Sequence, residues 1–462
     1  MQSSPARRRI LTLWLCLAVS CGDDAESTTL DASVTQDAAS VVPALDASVL
    51  DATQLDANVV DASAPGAARG PHTLAVRAAA STDDNEAGLI GSKRLAIWLA
   101  DWQASRPAAI TGDLIVLQLN ALPGGDPYAQ GEGAVRVHAA AELVDLVGPR
   151  SNGLAALGSV PQHGLRVDLL LRKYGIHPSR DLVVLAAGQL TTQALDTLAR
   201  AWLALRYWGV PHASLALLGE PLALPRRGPS GTTPPVDGTE RVSDLQAEHF
   251  ALYADLGAVR EAVGQDTLID VRDAAQYAGD ELGTSARDNS CTRGVPRCTP
   301  LFAGHIAGAV SLPWTSLVDA HGLRPRDELD LALRNAGVDP TRSAIVYDGD
   351  DQGAAIVSFA LLAVVGVPAR WYGGSYLEWG SLNAAHPDPA LRVLDPASPY
   401  RTDVPALTAK LQRWAAPEQG VRPLVLNPNV RALDRVLRED RDYKREPTAL
   451  PPPGQGDNPC IL

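Results

Sequence analysis

The chain has 462 residues and a formal net charge of −13, with 20% charged and 46% hydrophobic residues. That acidity excludes nucleic acid as a partner, because binding phosphate needs a basic surface. The length suggests two domains plus linkers, and the bias toward Ala, Gly and Pro, with one Met and three Phe, reflects a GC-rich genome more than a function.

The chain opens with a basic run, Arg7-Arg8-Arg9, followed by an apolar stretch from Ile10 to Val19. The stretch is too short for a mature membrane span and fits the apolar core of a signal peptide. It ends in Ala18-Val19-Ser20-Cys21, with small residues just before a cysteine. This segment resembles the lipobox of bacterial lipoproteins, with Ala18 where leucine is usual. The resemblance implies a signal peptide over 1–21, a lipid on Cys21 and a bilayer as the partner of that lipid. It places the protein at the cell envelope, facing the periplasm or the surface, and Gly22 in place of aspartate favours the outer membrane. Arg7-Arg8 also matches a twin-arginine signal, and an ordinary cleaved signal with an incidental cysteine is the other alternative. No later stretch is apolar enough to cross a membrane, so a soluble body is expected.

Residues 22–80 read as a disordered tether. Leu30-Asp31-Ala32-Ser33, Leu45-Asp46-Ala47-Ser48, Leu50-Asp51-Ala52 and Leu55-Asp56-Ala57 are acidic, rich in alanine and unable to build a core. A first domain is expected over 84–224. Pro and Gly then concentrate in a linker over 225–243, which contains Pro225-Arg226-Arg227-Gly228-Pro229 and Thr232-Thr233-Pro234-Pro235. A second domain follows over 244–392. A C-terminal extension over 393–462 carries a short amphipathic pattern around Val430–Leu437 and ends frayed at Pro451-Pro452-Pro453.

The two halves repeat each other. Leu171-Arg172-Lys173-Tyr174-Gly175-Ile176-His177-Pro178 matches Leu333-Arg334-Asn335-Ala336-Gly337-Val338-Asp339-Pro340. Each copy runs on into a short apolar strand, Leu182–Leu185 or Ala344–Tyr347, then a long apolar helix, then Gly-Val-Pro at Gly209 or Gly366. Gly133-Ala134-Val135 parallels Gly308-Ala309-Val310 upstream. A repeat of this length is a duplicated domain. Short apolar strands alternating with helices predict an α/β fold with a mainly parallel, helix-flanked sheet in each copy.

The second copy carries the sharper motifs. In order they are the strand Leu268-Ile269-Asp270-Val271-Arg272, the turn Gly304-His305-Ile306-Ala307-Gly308-Ala309 and the strand and loop Tyr347-Asp348-Gly349-Asp350-Asp351-Gln352-Gly353. Tyr372-Gly373-Gly374-Ser375-Tyr376-Leu377-Glu378-Trp379 closes the series. This order resembles the rhodanese (sulfurtransferase) family, and the duplication resembles its two-domain members. The resemblance implies two tandem five-stranded domains. It also implies a loop whose inward N–H groups stabilise a cysteine thiolate or persulfide and bind anionic donors.

The cysteine is missing. Asp348 stands at that position, and in the degenerate first copy the strand end Leu185-Ala186-Ala187-Gly188 puts alanine there in either register. Tyr347-Asp348-Gly349-Asp350 resembles the loop of inactive domains in this family. Asp348 is expected to fill the nest with its own carboxylate. Asp270 and Arg272 are expected to pair and brace the loop or the domain interface, and His305 to be a hydrogen-bonded scaffold residue rather than a catalytic one. The nine tryptophans read as packing residues.

Cys291 and Cys298, seven residues apart, read as a structural disulfide, with a redox or persulfide pair as the alternative; Cys460 is left over. The expectation is therefore an envelope lipoprotein that is silent in sulfur transfer and binds an unidentified protein or small anion, with no cofactor and no metal. The alternative is a thiosulfate or 3-mercaptopyruvate sulfurtransferase that uses a non-standard cysteine. A third reading takes Asp348-Gly349-Asp350 as a phosphatase nucleophile with Mg²⁺, but that chemistry needs a downstream lysine and none occurs between Asp351 and Leu394.

Overall fold

The computed structural model describes residues 88–119, 135–141, 145–222, 240–245, 249–283, 297–349, 353–382, 392, 401–403, 421–424, 426–427, 429–430 and 432–451. The signal segment with Cys21, the tether, most of the 225–243 linker, Asp350, Asp351, Gln352, Cys291 and Cys460 lie outside the described residues.

In the first half the strands are β1 (Leu89–Ile90), β2 (Leu114–Leu119), β3 (Val135–Ala141), β4 (Val147–Ser151), β5 (Ala156–Pro161), β6 (Leu182–Ala186) and β7 (Leu215–Leu218). Five of them form a sheet in the order β1-β7-β6-β2-β3, with every pairing parallel. All six side chains of β2 are buried, because helices cover both faces of a parallel sheet. Strands β4 and β5 form a separate antiparallel hairpin.

The second half continues with β8 (Tyr253–Ala254), β9 (Thr267–Asp270), β10 (Arg297–Thr299), β11 (His305–Ile306), β12 (Val310–Ser311), β13 (Val318–Asp319), β14 (Gly322–Leu323), β15 (Ala344–Tyr347) and β16 (Ala369–Tyr372). Its five-stranded sheet runs β12-β9-β15-β16-β8, again all parallel. Taken in chain order, its strands occupy the same places as those of the first sheet. The repeated motif also folds the same way twice. Gly175 and Gly337 adopt left-handed φ values of 63° and 80° just beyond a helix, a conformation open to glycine at little cost. In each copy the next amide reaches back to close the last turn, Ile176 to Leu171 at 2.8 Å and Val338 to Leu333 at 3.0 Å.

The two halves share a core. The Thr192–Tyr207 helix begins on a Thr191 hydroxyl that accepts from Ala194 N–H at 3.1 Å. It packs against the Ala354–Phe359 helix, and the Trp202 and Phe359 rings meet edge to face at 5.2 Å.

The C-terminal stretch touches both halves. β17 (Thr402–Asp403) pairs antiparallel with β11, and β18 (Val421–Pro423) pairs parallel with β10. The Arg435–Arg445 helix docks on the first half. The amphipathic element expected around Val430–Leu437 is therefore displaced, because the buried positions are Val436, Asp440 and Tyr443. Val436 and Tyr443 join the hydrophobic core while the buried Asp440 between them does not read as core, and apolar periodicity alone cannot find such a face. Near the expected frayed end, the Pro451 carbonyl accepts from Arg172 Nη1 at 2.7 Å. Among the described residues no helix is long and apolar enough to cross a membrane.

Candidate functional site

Strand β15 is the middle strand of the second sheet, and Asp348 is the first residue beyond its end. This carboxyl edge is where open α/β sheets place ligands. The Asp348 side chain turns back into its own loop and is 7% exposed. One carboxylate oxygen accepts from the Gly349 N–H and the other from the Gly353 N–H, just ahead of the Ala354–Phe359 helix. The Asp348 and Gly349 carbonyls accept from Tyr376 and Leu377 N–H at 2.7 and 3.0 Å, which ties the loop to the turn after β16. Among the described residues of the loop, the Gly349 and Gly353 N–H groups are thus already engaged by a carboxylate of the same loop.

On the neighbouring strand end Asp270 and Arg272 pair, and the guanidinium ties the turn at Gly304 to the Tyr376 ring. Arg272 Nε donates to Asp270 Oδ1 at 2.9 Å, and Nη2 donates to Asp270 Oδ2 and to the Gly304 carbonyl, both at 2.5 Å. The guanidinium lies 3.8 Å from the centre of the Tyr376 ring. Burial disfavours its charge, but the Asp270 carboxylate beside it outweighs burial and raises its pKa. His305 stacks on Tyr277 with ring centres 3.8 Å apart, and its Nδ1 donates to the Tyr277 carbonyl at 2.9 Å. The Tyr277 hydroxyl donates to the Ala309 carbonyl at 2.7 Å, so these two rings join the helix around Ala274–Ala278 to the turn before β12.

In the first half, Ala186 is the last residue of β6 and not the first residue of the loop, so the strand expected over Leu182–Leu185 runs one residue longer. Ala187 is the residue beyond the strand end; it is buried, and its carbonyl accepts from Leu222 N–H at 2.8 Å. Neither alanine brings a nucleophile or an acid to the first sheet's edge, and Gly188 follows with no side chain.

Cys298 lies on β10, is 1% exposed and is disulfide-bonded. No group of three or more His, Cys, Asp or Glu side chains able to hold a metal ion occurs among the described residues.

Sequence reasoning missed a second buried acid close to the loop. Glu378 is fully buried, accepts from the Tyr372 hydroxyl at 2.6 Å and from Asn152 Nδ2 at 2.5 Å, and so links the two halves. Burial pushes its carboxyl up to about 7, against the pull of the two hydrogen bonds. The Gly-Gly pair that precedes it makes room for the contact. A side chain on Gly373 would collide with the Ser159 carbonyl of β5. That close approach is the signal in the motif that marks an interface.

A family model described as Rhodanese-like domain matches residues 255–382. The chain is 31% identical to the 3-mercaptopyruvate sulfurtransferase of Escherichia coli (strain K12) over 219 residues, 46% of this chain and 69% of that protein. It is 28% identical to the Putative thiosulfate sulfurtransferase SseB of Mycobacterium tuberculosis (strain ATCC 25618 / H37Rv) over 287 residues, 60% of this chain and 90% of that one. A crystal structure of SseA from Escherichia coli, described as a 3-mercaptopyruvate sulfotransferase, superimposes with a TM-score of 0.42 at 22% identity. It covers 62% of this chain and 98% of that one. The chain belongs to the rhodanese-like sulfurtransferase family.

Proposed function

We propose that this protein is an envelope lipoprotein with tandem rhodanese-like domains that has lost sulfur transfer and works as a binding or scaffolding module. One observation carries the loss of chemistry. Asp348 occupies the place of the sulfur-carrying cysteine, and its carboxylate takes the Gly349 and Gly353 N–H groups that would hold a persulfide or an anionic donor. Ala186 and Ala187 leave the first half with no replacement. The equal strand order of the two sheets supports the tandem reading.

The relatives' names favour the second reading, sulfur transfer from 3-mercaptopyruvate or thiosulfate through another cysteine. Its candidate among the described residues, Cys298, is buried and oxidised, and a thiol in a disulfide is not a nucleophile. Cys291 is the partner we assign to it. The deciding assay is sulfur transfer from either donor to cyanide by the purified full-length chain, with and without reductant and a thiol-blocking reagent. No turnover above the buffer blank is expected in any condition. Turnover that thiol blocking abolishes would overturn the reading.

Anchoring rests on the Ala18-Val19-Ser20-Cys21 segment, with the acyl chains of Cys21 as the contact with the bilayer and the outer membrane as the destination. The protein should sediment with membranes and the Cys21→Ala variant should not. An unchanged distribution of that variant would sink the anchor.

A further inference from the structure

A cavity of about 540 Å³ opens at the carboxyl edge of the first sheet, away from the Asp348 loop. Its floor is the ends of β1 and β7, one wall is the loop after β6, and the opposite wall is the β13–β14 hairpin of the second half. Leu89, Ile90, Leu190, Leu195, Leu323 and Pro325 supply the apolar surface. The hairpin seats closely: a side chain on Gly322 would lie 3.1 Å from Leu190 Cδ2. The volume, the apolar walls and the place at the strand ends are those of small-molecule sites in α/β proteins.

The charge of the wall selects the ligand. Glu220 and Asp319 are its carboxylates, His321 is its remaining ionisable group, and neither Lys nor Arg lines it among the described residues. Glu220 Oε2 accepts from the Ser92 hydroxyl and from Ser92 N–H, which fixes the side chain at the start of the Ser92–Ala100 helix. Asp319 Oδ1 accepts from His321 N–H at 2.7 Å. The other oxygen of each carboxylate has no protein partner among the described residues. Glu220, half-buried and held by Ser92, and Asp319, exposed at the hairpin tip, set carboxylates with open lone pairs beside apolar walls and suit a cation on an apolar body. The same walls repel thiosulfate and 3-mercaptopyruvate, both anions.

We propose that this cavity binds a small organic cation, its apolar body against Leu190, Leu195 and Leu323 and its ammonium group on Glu220 and Asp319. The site is separate from the Asp348 loop, so it stands whether or not that loop transfers sulfur. A bound molecule would touch both halves and hold the hairpin against the first sheet.

The test is calorimetric titration of the full-length chain with 2-phenylethylamine and with 3-phenylpropionate, two probes with similar apolar bodies and opposite charges. Saturable one-to-one binding of the amine is expected, at least about ten-fold tighter than the acid and weakened by added salt. Glu220→Gln should weaken the amine about ten-fold by removing one charge-assisted contact. Leu190→Trp, which fills the cavity, should abolish binding, read on protein that keeps the parent's unfolding temperature. The proposal is overturned by no saturable amine binding, by equal binding of amine and acid, or by unchanged binding in both variants.

Discussion

Asp348 and Asp270 sit at the ends of adjacent parallel strands, yet their carboxylates do different work. Asp270 neutralises a buried guanidinium, while Asp348 accepts backbone N–H groups at a helix start, where the peptide dipoles favour negative charge. Removing Asp348 therefore orphans two donors and introduces no opposite charge. Asp348→Ala should cost about 1–3 kcal/mol, measured by urea denaturation, because a buried donor without a partner carries its desolvation penalty. Asp348→Asn keeps one acceptor oxygen and should fall between the two. A stability for Asp348→Ala equal to the parent's would show that the loop does not depend on its own carboxylate. The sequence already disclosed this residue, since the strand before it and the glycines after it fix the loop by local rules.

Between elements, the molecule relies on polar contacts that no local pattern announces. Glu378 joins β16 and the first half through Tyr372 and Asn152, and Asp440 joins the last helix to Tyr207 and Arg150 at 2.6 and 2.8 Å. Burial raises the Asp440 carboxyl to about 6, although the nearby Arg150 charge opposes it. Both acids have folded pKa values above the ordinary carboxylate range, so the folded state holds their protons more tightly than the unfolded chain. Their stabilising effect is complete below the unfolded values and is lost as pH rises to about 7 for Glu378 and about 6 for Asp440. For Glu378 the shift corresponds to about 3 kcal/mol. The denaturation midpoint should therefore rise when the pH is lowered from 8 to 5, and Glu378→Gln should shrink that rise. A midpoint that falls over this range, or the same slope in the variant, would contradict the assignment. The strands and the repeated Gly175 and Gly337 helix ends were legible because each is written within about ten consecutive residues. Glu378 and Asp440 were not, because the partners that make them links between elements, Asn152, Tyr207 and Arg150, lie more than 200 residues away in sequence.

For the whole molecule, the expected C-terminal extension is a strap. Its strands extend the second half at β10 and β11, and its helix completes the first half. Asp168 is 1% exposed and shares its charge with Arg241 at 2.9 Å and the Tyr443 hydroxyl at 2.5 Å. Arg241 itself reaches Tyr443 at 2.6 Å, so the end of the expected linker, the first half and the last helix meet at one carboxylate. Deleting residues 432–462 takes Tyr443 from this group and uncovers Asp168, Tyr207 and Arg150. The truncated chain should lose at least about 3 kcal/mol, since breaking a buried charge network costs that much. It should unfold at a clearly lower temperature by calorimetry. An unchanged transition would mean that the strap contributes little.

The strap also sets a timetable. Arg435–Arg445 follows every strand of both sheets in sequence, so it emerges after them from a ribosome or across a membrane alike. Until then Asp168 waits without Tyr443, and Asp440 is not there to meet Tyr207. The first half therefore lacks this helix while the second half is made, and a chain that stops before Arg435 never acquires the helix that completes its first half.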